Sequence, residues 1–132
     1  MVERFAGELA REGWGLWAVE VVGGESFVGM VGLHRVNPDL PCAPAVEAAW
    51  RIDPAHWGHG YATEAAAAAL RHGFGAGGLD EIVAFTTTLN VRSQSVMRRI
   101  GMTYDPAADF DHPSVPVGSP LRRHVLFRAR PG

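Results

Sequence analysis

The sequence predicts an α+β fold: a mixed sheet with one strand–helix–strand crossover near its middle. Three observations predict it. The strand-like segments Leu16–Val22 and Phe27–Val36 are joined by Gly23-Gly24, the pattern of an antiparallel hairpin. The order then becomes strand, glycine loop, Ala-rich helix, strand and helix, which is how parallel strands are connected. A final strand follows a long loop containing several prolines.

Each element has its own signal. In Val2–Glu12, Phe5, Ala6 and Leu9 fall at helical spacing among Glu3, Arg4, Glu8, Arg11 and Glu12, which predicts an amphipathic helix ended by Gly13. Asn37–Pro44 is a loop. Ala45–Ile52 is a strand that puts Val46, Ala48, Trp50 and Ile52 on one face and Ala45, Glu47, Ala49 and Arg51 on the other. Asp53-Pro54 breaks it. Thr63–Phe74 is a helix terminated by Gly73–Gly78. Glu81–Thr87 is a β-branched strand, Val91–Ile100 a helix stopped by Gly101, and Met102–Tyr104 a short strand. Asp105–Pro120 reads as a loop and Leu121–Arg128 as the last strand. No internal repeat or domain boundary is visible, so residues 1–132 read as a single domain.

Bulk properties narrow the function. Twelve Lys and Arg stand against fourteen Asp and Glu, a formal net charge of −2, so bulk electrostatics predict neither a nucleic-acid nor a membrane partner. The only local basic run, Arg122, Arg123, Arg128 and Arg130, reads as a solvated strand face or as help for phosphates. The lone cysteine, Cys42, cannot close an internal disulfide, which fits a reducing compartment. No apolar run reaches the length of a membrane span and no leader pattern opens the sequence, so the expected location is cytoplasmic.

The chemistry centres on Trp57-Gly58-His59-Gly60-Tyr61-Ala62, which follows a strand and opens a helix. A helix start carries unpaired N–H groups and partial positive charge, and glycines let an anion approach them. Several readings fit the loop. A nucleotide P-loop would need a Gly-Lys-Ser/Thr ending, and there is no lysine. A Rossmann loop would need a third glycine, where Thr63 stands. A tight turn with no ligand is the remaining one. His56 and His59 have no third ligand nearby in sequence, so no metal is expected.

The segment from Ile52 through Ala65 resembles the phosphate-binding motif of the GNAT superfamily of N-acetyltransferases, in particular its Rim-type branch, the ribosomal-protein N-terminal acetyltransferases. Gly60 and Ala62 match the last two fixed positions of Arg/Gln-x-x-Gly-x-Gly/Ala, and Trp57 stands where Arg or Gln is usual. Asn90 through Met102 is similar to the branch's Asn-x-x-Ser segment, with Arg99 and Met102 in place of Lys and Phe. Asp111-His112-Pro113 and Leu121–Leu126 are similar to its usual ending.

The resemblance implies a GNAT acyl-CoA N-acyltransferase fold, mostly antiparallel with a central splayed parallel pair and flanking helices. It implies acetyl-CoA as co-substrate, with no metal, and transfer to a primary amine by direct attack in a ternary complex. The amides of Gly58, His59, Gly60, Tyr61, Ala62 and Thr63 would hold the pyrophosphate, with Trp57 heading this cofactor-binding loop, and the backbone of Ile52 would pair with pantetheine. Asn90 is a good helix N-cap and, by likeness, bonds the pantetheine arm. Ser93 is a first-turn serine and, by likeness, a candidate acid for the leaving thiolate. Met97 stands where many members carry a donating tyrosine, which leaves Ser93 or a water.

An amine needs a base or water chain to lose its proton. Glu47, a carboxylate within an apolar strand, is the best candidate, with His34 and Asp39 as alternatives. Arg51 shares its face but lies about 13 Å along, too far for an easy pair. Members of the family usually carry a strand and a helix ahead of the Val2–Glu12 segment, and their absence implies an exposed sheet edge and a possible homodimer. A non-catalytic acyl-CoA-binding module is the alternative function.

Overall fold

The computed structural model describes residues 2–7, 15–21 and 28–131. Its elements are β1 (Val2–Gly7), β2 (Leu16–Val21), β3 (Gly29–Arg35), β4 (Val46–Ile52), α1 (Tyr61–Phe74), β5 (Ile82–Thr87), α2 (Val91–Arg99), β6 (Thr103–Tyr104), β7 (Phe110–Asp111) and β8 (Arg123–Ala129). They form one sheet in the order β1-β2-β3-β4-β5-β8-β6, with β7 also paired to β8. Every pairing is antiparallel except β4 with β5.

The expected β2–β3 hairpin forms, from Leu16↔Gly32 to Val19↔Gly29. The helix expected over Val2–Glu12 does not begin as one: Val2–Gly7 is a strand, paired with β2 from Val2↔Val21 to Gly7↔Trp17. A single apolar stripe of three positions is too weak to hold an isolated helix, whereas a ladder with β2 satisfies the backbone of both. The remainder of that segment, residues 8–12, and the Gly23-Gly24 turn lie outside the described residues.

The alternation expected in β4 is what organises the core. Val46, Ala48 and Ile52 join a cluster with Val31 and Leu33 of β3, Ile82 and Ala84 of β5, and Val125 and Phe127 of β8. Helix α1 covers this face with Ala65, Ala69 and Leu70, and α2 contributes Met97. Gly73 does not end α1 but lies buried within it. A Cβ there would meet the Cδ1 atoms of Ile82 and Leu33 at 2.8 Å, so the missing side chain lets the helix sit close to the sheet. Gly75 is the C-cap.

The opposite face carries a second cluster, Val36, Leu40, Val83, Phe110 and Leu126, with Cys42, Ala43 and Ala45 of the β3–β4 loop packed against it. Strand β7 was not expected from the sequence. It pairs Phe110↔His124 and Asp111↔Arg123 within the segment read as loop. The C-terminal arginines are tied internally. Arg128 bonds Asp105 at 2.8 Å and Glu81 at 3.0 Å, Arg130 pairs with Glu81, and Arg123 with Asp111. Arg122 donates to the Val115 carbonyl.

Candidate active site

The parallel strands β4 and β5 meet through the pair Glu47↔Val83, and no pairing continues toward Ile52 and Thr87. The sheet therefore opens between their C-terminal halves. The start of α1 stands beyond the end of β4, and the start of α2 beyond the end of β5.

Strand direction decides which backbone groups face the opening. The Ala45 carbonyl accepts from Val36 and the Asp53 N–H donates to Val28, so these odd-numbered positions bond toward β3. By the alternation of a strand, Trp50 and Ile52 turn their backbone groups toward β5. The Ile52 carbonyl accepts the Trp57 indole N–H at 2.8 Å, which ties the glycine loop to the end of β4.

The loop itself is built for open amides. Gly58 and Gly60 have φ of 88° and 78°, a region that L side chains avoid. A Cβ at either would meet nothing within 4 Å, so the space above them is clear of protein. Gly60 is the N-cap of α1, and no side chain caps the helix. Its first-turn N–H groups keep their positive end of the helix dipole available for an anion. His59 stacks on Tyr61 at 5.2 Å between ring centroids, and Tyr61 packs against the core. Arg92, on the first turn of α2, lies over the Trp57 ring at 4.1 Å and links the two helix starts.

Asn90 caps α2: its side-chain oxygen accepts the Ser93 N–H at 3.1 Å. Ser93 is half-buried, and Met97 one turn on is buried in the core. Gln94 donates to the carbonyls of Thr87 and Thr88, fastening α2 to the end of β5. Sequence reasoning missed the Gln94 and Arg92 contacts, since each joins segments whose proximity only the fold creates.

On the face opposite the helices, Glu47 is buried to 9% exposure. It sits directly across from His34 in the β3–β4 register, and its Oε1 is 3.0 Å from His34 Nε2. That hydrogen bond raises the pKa of His34 above its ordinary 6.5, against the opposing effect of burial. Asp39 lies exposed in the β3–β4 loop, where its N–H donates to Asn37, and is not brought to Glu47 by any contact. Arg51 forms no pair with Glu47. His124 of β8 is buried on this same face beside Phe85 and Phe110. Burial lowers its pKa, and its Nδ1 lies 3.0 Å from the Arg122 carbonyl. Among the described residues, no group of three or more His, Cys, Asp or Glu is placed to hold a metal.

The Acetyltransferase (GNAT) domain matches residues 1–103. The chain belongs to the GNAT acetyltransferase family. Over 96 residues, 70% of this GNAT chain, it is 38% identical to FsC-acetyl coenzyme A-N(2)-transacetylase of Aspergillus fumigatus and spans 40% of that protein. The acetyltransferase (GNAT family) of Bacillus anthracis superposes with a TM-score of 0.71 at 27% identity, covering 88% of this chain and 66% of that one. RimJ of Mycobacterium smegmatis, solved in complex with CoA-disulfide, shares the fold with a TM-score of 0.69 at 23% identity, covering 88% of this chain and 53% of that one. The GNAT chain spans 40 to 55% of the length of the curated relatives it matches. Among its described residues, no helix is long and apolar enough to cross a membrane.

Proposed function

We propose that the protein transfers the acetyl group of acetyl-CoA to a primary amine, by direct attack in a ternary complex. One observation carries this reading: an uncapped helix start with two left-handed glycines stands beside an opening between parallel strands, in a GNAT chain. The amides of Gly58 to Thr63 hold the pyrophosphate; the Trp57 N–H is taken by the Pro54 carbonyl at 3.2 Å, so Trp57 serves the loop through its indole bond to Ile52 instead. The backbone of Ile52 at the opening, and Asn90 at the start of α2, bind the pantetheine arm. Glu47, buried on the face away from the helices, takes the proton of the amine. Ser93, half-buried at the start of α2, protonates the departing thiolate.

The acceptor belongs to the class of peptide N-terminal α-amines or small-molecule amines. The Rim-type branch is supported by Trp57 in the loop motif and by the Asn90–Met102 segment. The named N(2) acetylation of the Aspergillus relative supports an amine nitrogen as acceptor. We further read residues 1–132 as one domain, placed in the cytoplasm. A homodimer is supported by β1, which ends the strand order with one edge unpaired among the described residues.

Calorimetric titration with acetyl-CoA, NAD and ATP tests the cofactor: binding is expected for acetyl-CoA alone. Release of CoA thiol across a panel of amines and peptides tests the transfer. Acetyl-CoA binding without thiol release for any acceptor would make the protein an acyl-CoA-binding module instead. Glu47→Gln is expected to lower kcat by about a hundredfold with KM for acetyl-CoA unchanged.

A further inference from the structure

Acetylation of an ammonium releases a proton. The nitrogen forms a bond to the acetyl carbon, the carbon–sulfur bond breaks, the thiolate is protonated, and one H⁺ per turnover must reach solvent. A buried base therefore has to hand its proton on before it can act again.

The side chain of Glu47 is 12% exposed and that of His34 is 55% exposed, and they touch at 3.0 Å. His34 thus joins a buried carboxyl group to water. Both of its ring nitrogens face acceptors: Nε2 the Glu47 carboxyl, and Nδ1 the Arg35 carbonyl at 3.2 Å. Satisfying both takes an imidazolium beside a carboxylate, or a neutral ring beside a carboxylic acid. In either arrangement one proton is shared within the pair. The raised pKa of His34 agrees with that sharing.

Other charged or titratable groups bear on this face: Cys42 of the covering loop, Arg51 of β4, His112 after β7, and His124 and Arg128 of β8. None of them makes a hydrogen bond or ion pair with Glu47. Cys42 has its thiol pKa raised by burial, His124 is buried, and Arg128 is tied to Asp105 and Glu81.

We propose that His34 is the proton outlet of Glu47. The amine proton passes to the Glu47 carboxyl and from there to His34 Nε2, and the Nδ1 proton leaves to water or buffer. The inference rests on Glu47 as the base. In this scheme His34 acts through Glu47, so it is a positioning residue rather than a catalytic one.

The experiment measures thiol release from acetyl-CoA by the full chain, using the amine that the wild type turns over best. In dilute buffer, His34→Ala and His34→Gln are both expected to lose about tenfold in kcat, with KM for acetyl-CoA unchanged. Added imidazole should restore most of that loss, and should do nothing for Glu47→Gln. Gln can keep a hydrogen bond to Glu47 but cannot relay a proton, so recovery in His34→Gln would mean a structural role and overturn the proposal. Wild-type kcat in His34→Ala, or a loss that imidazole leaves untouched, would also overturn it. Loss in Glu47→Gln alongside full activity in His34→Ala would remove the outlet and leave the base standing. As a measurement that needs no turnover, the His34 ring should titrate above 6.5 by NMR in the wild type and fall back in Glu47→Gln. An ordinary titration in the wild type would remove the shared proton, and the outlet with it.

Discussion

Trp57 anchors the glycine loop to the end of β4, and Arg92 lies over the Trp57 ring. The indole N–H holds the Ile52 carbonyl, which fixes where the loop amides point. Trp57→Phe keeps the ring and loses that bond. Because Trp57 is 46% exposed, the loss is a modest one. We expect acetyl-CoA affinity to fall by about two- to fivefold, measured by calorimetry, at a cost of about 0.5–1 kcal/mol. The glycines are less forgiving. Gly60→Ala would strain the helix start by about 1 kcal/mol and place a methyl group in the space left for phosphate. Its affinity for acetyl-CoA should drop by at least about tenfold, while urea unfolding shows only the small strain. At this scale the sequence exposed the glycines and the lone carboxylate of β4, because both break a local pattern. It did not expose the partners of Trp57 and Glu47. Those depend on which residues the folded chain brings opposite one another.

Elements show the same division between local and long-range causes. The two helices and the central strands follow from runs of apolar residues bounded by Gly, Pro and Asn, and they were legible. Strand β1 was not, since Phe5, Ala6 and Leu9 fit a helical period while the pairing with β2 lies in tertiary structure. The two-residue strand β7 was missed because it has no apolar run of its own and exists only by pairing with β8. Gly29 shows how tightly β3 and β4 pack. A Cβ there would meet the Arg51 carbonyl oxygen and come within 2.8 Å of Ile52 Cα, both backbone atoms. Gly29→Ala should therefore destabilise the fold by about 1–3 kcal/mol in urea denaturation, and should also weaken acetyl-CoA binding by shifting Ile52. Gly73→Ala meets side-chain methyl groups instead, so a smaller loss is expected, with binding unchanged.

Across the whole molecule, two histidines on one face of the sheet give opposite pH dependences. The folded pKa of His34 is raised, so the folded state binds more protons than the unfolded state between 6.5 and the raised value. Its contribution is complete below 6.5 and fades as pH rises through the folded pKa. The folded pKa of His124 is lowered by burial, so its contribution is complete above 6.5 and fades as pH falls through the folded pKa. Together they place a stability maximum near 6.5. Urea denaturation between about pH 5 and pH 8 should show a falling limb on each side. His34→Gln should flatten the alkaline limb and His124→Phe the acid limb. An unchanged acid limb in His124→Phe would show that burial of that ring does not govern acid sensitivity.

The opening between β4 and β5 also has a consequence in time. The N–H groups of Trp50 and Ile52 turn toward β5, with which no pairing continues, while the Ile52 carbonyl is held by the Trp57 indole. Their amide protons should trade with deuterium far faster than those of Ala49 and Arg51, which point into the β3 ladder. Filling the gap with the amide-bearing arm of acetyl-CoA should slow the Trp50 and Ile52 signals selectively, while leaving the β3 side unchanged. The protein would then carry a built-in reporter of occupancy, readable one amide at a time and independent of any acceptor.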